Sequence, residues 1–402
     1  MPQLQIPRLG ELVEMHRPAR QPLPRAPGRP NVLSFIVSYP TFSETYMHEE
    51  IRALRHEVNF RIITYKKSTH PRRSSFEHQV IAYPDACVVY GPWGAVNQHF
   101  DTPDQQAFIH RVDAVIEEFR PDVLHAHYFG MVLLLRHLAQ RHEIPFTVRT
   151  HSMDVLNEPP EKLEALSAAA NSHWCRRVLA FPYSRRHLIR HGLDPSKIEP
   201  CWPVVDIERF RRHRRPNGLP AGDVMCAGPA IPKKAHNDFV DLAVMMQGCG
   251  RRFDLYADGP DLHVTTAHNR ACGEPVNISY ADPARMQTVY PRYEWLVYPS
   301  DPVRNKVGLP VSIAEAQAAG LGVAWQELPG RRDEQLHYLG GGGFLYRTLD
   351  ELRDTISEPY PAEMRQAGFA AADRCDVQVH KALLSDVWHQ VAAGLEPAMD
   401  GA

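Results

Sequence analysis

At 402 residues the chain exceeds one ordinary core, so its length predicts two domains of about 150–200 residues each. A composition of 44% hydrophobic and 23% charged residues is that of a folded globular protein, and a formal charge of −2 gives no electrostatic reason to expect nucleic acid. No run approaches the roughly 20 apolar residues of a membrane span, and no apolar signal segment opens the chain.

In chain order, residues 1–30 are rich in proline and arginine and carry no periodic run, as in a flexible leader. "NVLSFIVSYP" (31–40) is a short apolar run ending in a loop, the pattern of a buried parallel strand. "SETYMHEEIRALRHE" follows as a helix, with Ser43 placed to cap it and Tyr46, Met47, Ile51 and Leu54 at helical spacing. Further strands are predicted at 59–67, near 87–91, and within 121–130 and 144–154, with helices around 104–119 and 131–143. "RRVLAFPYSRRHLIRHG" (176–192) and "KIEPCWPVVD" (197–206) complete a first α/β unit. A charged, then Pro/Gly-rich stretch at 207–222 reads as an interdomain linker. The alternation restarts with "DVMCAGPA" and runs through "NDFVDLAVMMQG", "RFDLYADGP", "YEWLVYPS", "VSIAEAQAAG", "LGVAWQE" and "GGGGFLYRTLDELRDTI". Strands and helices alternating on short loops mean doubly wound parallel sheets. The predicted fold is therefore α/β, two Rossmann-like domains facing each other.

In such sheets ligands sit at the carboxyl ends of the strands. Lys233 and Lys234 follow "DVMCAGPA" and can hold a phosphate as point charges, although an isolated lysine pair is commonly only solvated surface. "ADGPDL" (257–262) reads as a strand-end turn whose glycine permits a sharp reversal. Gly308-Leu309-Pro310 ends a loop, and Val311 onward has the alanine-rich composition of a good helix. Its N-terminus offers free N–H groups and the positive end of the dipole, which suits a pyrophosphate. Glu315, about one turn in, either accepts hydrogen bonds from a ribose diol or merely complements the dipole; by itself it leaves both readings open.

His125, His127 and His151 come from two strand ends expected to be neighbours. No cysteine or carboxylate completes a recognisable ligand spacing around them, so no metal is expected there. The seven cysteines are scattered singly, which fits thiols in a reducing cytoplasm. His125 is expected to pack or hydrogen-bond inside, whereas His151 at a cleft edge can donate to a phosphate or a sugar hydroxyl. "YKKSTHPRRSS" (65–75) reads as a mobile basic loop, and no aromatic platform accompanies it for nucleic acid.

Over residues 31–393 the chain resembles the GT-B glycosyltransferases of family 4. "YPTFSETYMHEEI", "PDVLHAHYFG", "IPFTVRTHSMDV" and "KIEPCWPVVDIERF" resemble four segments of that family's N-terminal half, and "CAGPAIPKKAHNDFVDLA", "YADGPDL", "VGLPVSIAEAQAAG" and "GGGGFLY" resemble its C-terminal ones, in the same order. The resemblance implies GT-B architecture and transfer of a sugar from a nucleotide-diphospho-sugar, with retention and without a metal. It implies a donor site of Gly228, Lys234, Gly308, Leu309 and Glu315, with Lys234 on phosphate, Glu315 on ribose, and the Gly308-Leu309 backbone against the diphosphate. His151 matches the histidine that reaches the donor sugar, and Asp154 the aspartate three residues later.

Two positions depart from that pattern. Pro229 stands where the family has a pyrophosphate-binding arginine, and Val307 where it has the first glutamate of E-x7-E. Neither side chain can replace the lost contact, so Lys306 or Lys233 is expected to supply the second positive charge. The expected division is a leader (1–30), an acceptor domain (31–206), a linker (207–222), a nucleotide-sugar domain (223–375) and a C-terminal helix (376–402) crossing back to the first domain. The expected activity is a metal-independent, cytoplasmic hexosyl transfer to a glycan, glycolipid or small-molecule acceptor, with no cofactor beyond the donor. Ser43, Glu44 and His127 are assigned to the acceptor side, with peripheral contact to the inner membrane surface allowed for. His151 and Asp154 are the catalytic candidates, Asp154 as base if the reaction inverts. The rival readings are a non-catalytic nucleotide- or glycan-binding scaffold of a polysaccharide synthesis complex, and a sugar epimerase or phosphorylase on the same fold.

Overall fold

The computed structural model describes residues 26–39, 45–67, 80–82, 103–214, 222–304 and 309–394. Seven strands form the first sheet: β1 (Asn31–Tyr39), β2 (Asn59–Lys67), β3 (Val80–Ala82), β4 (Val123–His127), β5 (Phe146–Arg149), β6 (Cys175–Ala180) and β7 (Ile198–Pro200). Their order is β3-β2-β1-β4-β5-β6-β7, and each pairing is parallel. The second sheet contains β8 (Asp223–Pro229), β9 (Phe253–Asp258), β10 (Asn277–Ser279), β11 (Tyr293–Tyr298), β12 (Gly322–Gln326) and β13 (Gly343–Tyr346), in the order β10-β9-β8-β11-β12-β13 and again all parallel.

The central strands are apolar on both faces because helices cover both faces. All five residues of β4 and all six of β11 are buried. In each sheet the chain order reverses beside its first strand, between β1 and β4 and between β8 and β11. The crevice outside such a switch point is where open α/β sheets bind ligands. Tyr39 and His127 end the strands at one switch point, Pro229 and Tyr298 those at the other.

Three helices carry or brace the residues around these switch points: α1 (Thr45–Leu54) after β1, α2 (Val311–Ala319) between β11 and β12, and α3 (Val377–Ala392) near the C-terminus. Asp376 caps α3 by accepting from the Gln378 N–H at 2.8 Å. Although it follows the second sheet in sequence, α3 lies on the first. Trp388, fully buried, packs edge-on against Phe60 of β2 and His125 of β4, and its Nε1–H donates to Thr147 Oγ1 of β5 at 3.1 Å. Lys381 pairs with Glu57 at 2.6 Å beyond the end of α1.

Several expectations need amending. The last five residues of the expected leader, 26–30, are tied down, since Asn59 receives the Ala26 N–H and donates to the Ala26 and Arg29 carbonyls. The expected linker begins as a packed helix, Ile207–Arg211, with Ile207 and Phe210 fully buried. The strand expected near 87–91 lies outside the described residues, and the basic loop at 65–75 does so beyond residue 67. The helices Pro160–Ala170 and Leu262–Ala271 and the edge strand β10 were not anticipated. No helix among the described residues is long and apolar enough to cross a membrane.

Candidate functional site

A cavity of about 400 Å³ lies between the carboxyl ends of the two sheets. One wall comes from the loops after β4 and β5, through Tyr128, His151 and Ser152; the opposite wall comes from the β8 and β9 ends and the start of α2.

On the second-domain wall, the penultimate residue of β8 is Gly228, whose φ of 146° is open to glycine and strained for other residues. A side chain there would point at the Lys234 ammonium, 3.6 Å from its Nζ. Backbone and lysine thus converge on one spot. Lys234 follows in a short 3₁₀ turn, Pro232–Lys234, and its ammonium lies over the Tyr298 ring, 4.0 Å from the centroid, against the hydroxyl. Burial and the neighbouring Lys233 pull its pKa down to about 7. Lys233 also lines the cavity, and burial lowers its pKa as well.

The other half of this wall is the N-terminus of α2. Pro310 occupies the cap position and supplies no side-chain cap, so the first turn opens to the cavity through Leu309, Val311 and Ser312. Glu315 lines the same cavity and accepts a hydrogen bond from the Tyr290 hydroxyl at 3.0 Å. Burial pushes its carboxyl above the usual range, while Arg209 and Tyr290 pull it back. Gly228, Lys234, Leu309 and Glu315 are therefore brought together. Lys306 and Gly308, assigned to the same group, lie outside the described residues, as does Val307; Pro229 lines the cavity.

On the first-domain wall, His151 follows β5 and is flanked by the rings of Tyr46 and Tyr128, with centroids at 4.9 and 4.8 Å. Burial, reinforced by the cationic Arg149, holds its pKa well below 6.5. Two non-glycine residues next to it adopt positive φ, Tyr128 at 86° and Ser152 at 72°, and such strain concentrates where a loop shape is imposed by function.

Asp154 departs from its expected place as a base. Its oxygens accept the backbone N–H groups of Phe129 at 2.5 Å and His151 at 2.7 Å, and it is 2% exposed and absent from the cavity wall. Burial raises it to about 6 despite those bonds. In this position it joins the β4 and β5 loops and holds His151 in place. His127, assigned to the acceptor side, is also buried, behind His151, and touches the cavity only through it. Ser43 and Glu44 lie outside the described residues.

Behind His151 lies a buried charged cluster that sequence reading missed. Glu50 of α1 pairs with Arg149 of β5 at 2.7 Å and with His380 of α3 at 2.7 Å, and its other oxygen is 3.2 Å from His127 Nε2. The three partners arrive from segments far apart in the chain, so no local pattern announces them. Glu50 also corrects the reading that no carboxylate joins the histidines: ligand-type atoms of Glu50, His125 and His127 lie within 4.8 Å of one another. A dication there would stand close to the Arg149 guanidinium that already balances Glu50, which makes the cluster a poor metal cage. A second such group, Asp241, His268 and Cys272, is half-exposed, and its His268 is satisfied by Asp241 at 2.6 Å.

Residues 43–202 match the glycosyl transferase 4-like domain family. No curated protein sequence matches the chain. Among solved structures, the chain is similar to Anabaena HepE in complex with UDP, at 14% identity and a TM-score of 0.66 over 88% of this chain and 98% of that one. It is similar to sucrose-phosphate synthase from Thermosynechococcus elongatus at 16% identity and a TM-score of 0.66, over 90% of this chain and all of the other. A glycosyltransferase from Rickettsia africae gives 11% identity and a TM-score of 0.66 over 90% of this chain and 99% of that one. At such identities the likeness speaks for the fold, which is GT-B.

Proposed function

We propose that this chain is a nucleotide-sugar-dependent glycosyltransferase that moves a hexosyl group, with retention, to a glycan, glycolipid or small-molecule acceptor. The observation that carries the reading is the cavity itself. A lysine, an uncapped helix N-terminus and a carboxylate one turn along that helix face a histidine from the other domain.

In this reading the donor diphosphate lies between Lys234 and the first turn of α2, with Lys233 supplying the charge that Pro229 cannot. Glu315, held by Tyr290, accepts hydrogen bonds from the ribose hydroxyls. The sugar then projects toward His151, and the acceptor enters along the first domain. As the bond from the anomeric carbon to the diphosphate breaks, the leaving diphosphate takes the acceptor proton, so no carboxylate base is needed at Asp154. Closure of the cleft would keep water from the donor. The HepE structures with UDP, and with UDP-glucose, are the reason to place uridine nucleotides first among donors to be tried.

Pro229 in the cavity wall favours a second reading, a GT-B protein that binds a nucleotide or glycan without transfer. Calorimetric titration with UDP, GDP, ADP and their glucose forms, without metal, tests the donor site. One nucleotide is expected to bind in the roughly micromolar range, and Glu315→Ala to weaken it by about tenfold or more, about 1.4 kcal/mol per factor of ten. No binding by any member would discard the donor site. Tight binding with no glycosylated product from any acceptor would favour the second reading.

A further inference from the structure

The cluster behind His151 decides which way that residue faces the donor. His151 Nε2 and His127 Nδ1 are 3.0 Å apart. Their rings are tilted by only 13° with centroids 5.2 Å apart, a distance that two ring radii and the N–N contact account for. The rings are thus nearly coplanar and meet edge to edge through an in-plane hydrogen bond. On the far side, His127 Nε2 lies 3.2 Å from Glu50 Oε1, and both residues are almost wholly buried.

Glu50 is ionised: burial opposes its charge, but the Arg149 guanidinium at 2.7 Å and the imidazoles around it hold the carboxyl well below its usual range. The Glu50 oxygen lies off the line of the ring nitrogen, so the 3.2 Å contact is one of charge and not a hydrogen bond, and a carboxylate that close in a buried place disfavours a bare lone pair on Nε2. His127 Nε2 therefore carries a proton. Arg149 already balances Glu50 in this buried place, so a second cation on His127 would leave the cluster with uncompensated charge. A neutral His127 protonated on Nε2 has a bare Nδ1, which must receive its hydrogen from His151 Nε2. That leaves Nδ1 as the polar ring atom of His151 without a proton, on a residue that lines the cavity. The other charged or titratable groups around the pair do not reverse this. His125 turns its Nδ1 to Thr147 at 2.8 Å, His380 Nε2 lies against both Glu50 and the Arg149 guanidinium, and Asp154 meets His151 only at its main-chain N–H.

We propose that Glu50, acting through His127, is a positioning residue that locks His151 in its Nε2–H tautomer. His151 then meets the donor as a hydrogen-bond acceptor for a sugar hydroxyl and not as a donor to phosphate. The role on the sugar rests on the glycosyltransferase reading above; the tautomer does not.

The tautomer is read from the side-chain nitrogen resonances of the full chain labelled with ¹⁵N-histidine, without nucleotide, with His151→Gln identifying the His151 pair by its loss. The expected spectrum has a pyridine-like Nδ1 and a pyrrole-like Nε2 for His151. In Glu50→Gln, whose amide can face His127 with either its oxygen or its NH₂, the single form should become a mixture. A pyrrole-like Nδ1 in the unaltered protein, or an unchanged tautomer in a folded Glu50→Gln, overturns the proposal. Should Glu50→Gln fail to fold, His127→Phe keeps the Glu50–Arg149 pair and cuts the same link, and an unchanged tautomer there is equally fatal. UDP titrated into the same unaltered sample separates this outcome from failure of the donor site: loss of UDP binding with the expected tautomer intact refutes only the donor site.

Discussion

Burial and Lys233 hold the Lys234 ammonium at about 7, so near neutral pH part of an unliganded population presents an uncharged amine beside Tyr298. A bound diphosphate favours the charged form and raises that pKa, so binding takes up a proton. Affinity for a nucleoside diphosphate should therefore be fullest below about pH 7 and fall by up to about tenfold per unit above it. Calorimetry in two buffers of different ionisation enthalpy measures the proton uptake directly; affinity that stays flat to about pH 9 would remove Lys234 from the diphosphate. Lys234 and Glu315 could be picked out of the sequence only through the resemblance of their segments to a known family, since a lysine pair after a strand is commonly solvated and a first-turn glutamate commonly just complements a helix dipole. Tyr290 and Tyr298, which hold them, could not, since an aromatic residue in or beside a buried strand is first of all core.

At the scale of elements, the site is made by strand-end loops held in conformations that few residues tolerate. The β9 loop approaches the β8 loop so closely that a Cβ on Gly259, at φ 141°, would lie 2.8 Å from the Ala230 carbonyl oxygen and 3.0 Å from its nitrogen. The contact is sealed by the Ala230 N–H donating to Asp258 O at 2.8 Å and the Asp261 N–H donating to Ala230 O at 3.0 Å. Gly259→Ala should lower stability by about 1–3 kcal/mol in urea unfolding and weaken nucleotide binding, because the clash displaces backbone. Unchanged stability and affinity would mean that the two loops give way freely. Strands and helices of this size were legible from apolar runs and spacing. The helix Pro160–Ala170 was harder to see because its buried positions include Ser167, Ala169 and Ala170, which add little contrast to a hydropathy pattern. The three-residue β10 is too short to carry one.

Across the whole molecule, α3 binds the end of the chain to the first sheet and contributes His380 to the cluster that backs His151. Trp388 is the apolar anchor of that return. Trp388→Ala should cost about 3–5 kcal/mol, read as a lower denaturation midpoint. The same variant should disturb the His151 resonances, because His125 and Thr147 lose their partner beneath the cluster. A variant as stable as the parent would mean that α3 is not integral to the first domain.

Lys234 and Glu315 were singled out only through the resemblance of their segments to a known family, whereas local pattern along the chain was enough to determine two doubly wound α/β units and most of their strands. These depend on short-range periodicity and on the fixed geometry of a strand passing into a helix. Which side chains stand behind the site is a matter of long-range packing. Asp154 proved to hold a loop and His127 to lie one residue behind the wall, while Glu50, Arg149 and His380 met in one buried cluster. A charge becomes functional or structural according to what surrounds it once water is excluded, and its neighbours here come from α1, β5 and α3, which only folding brings together.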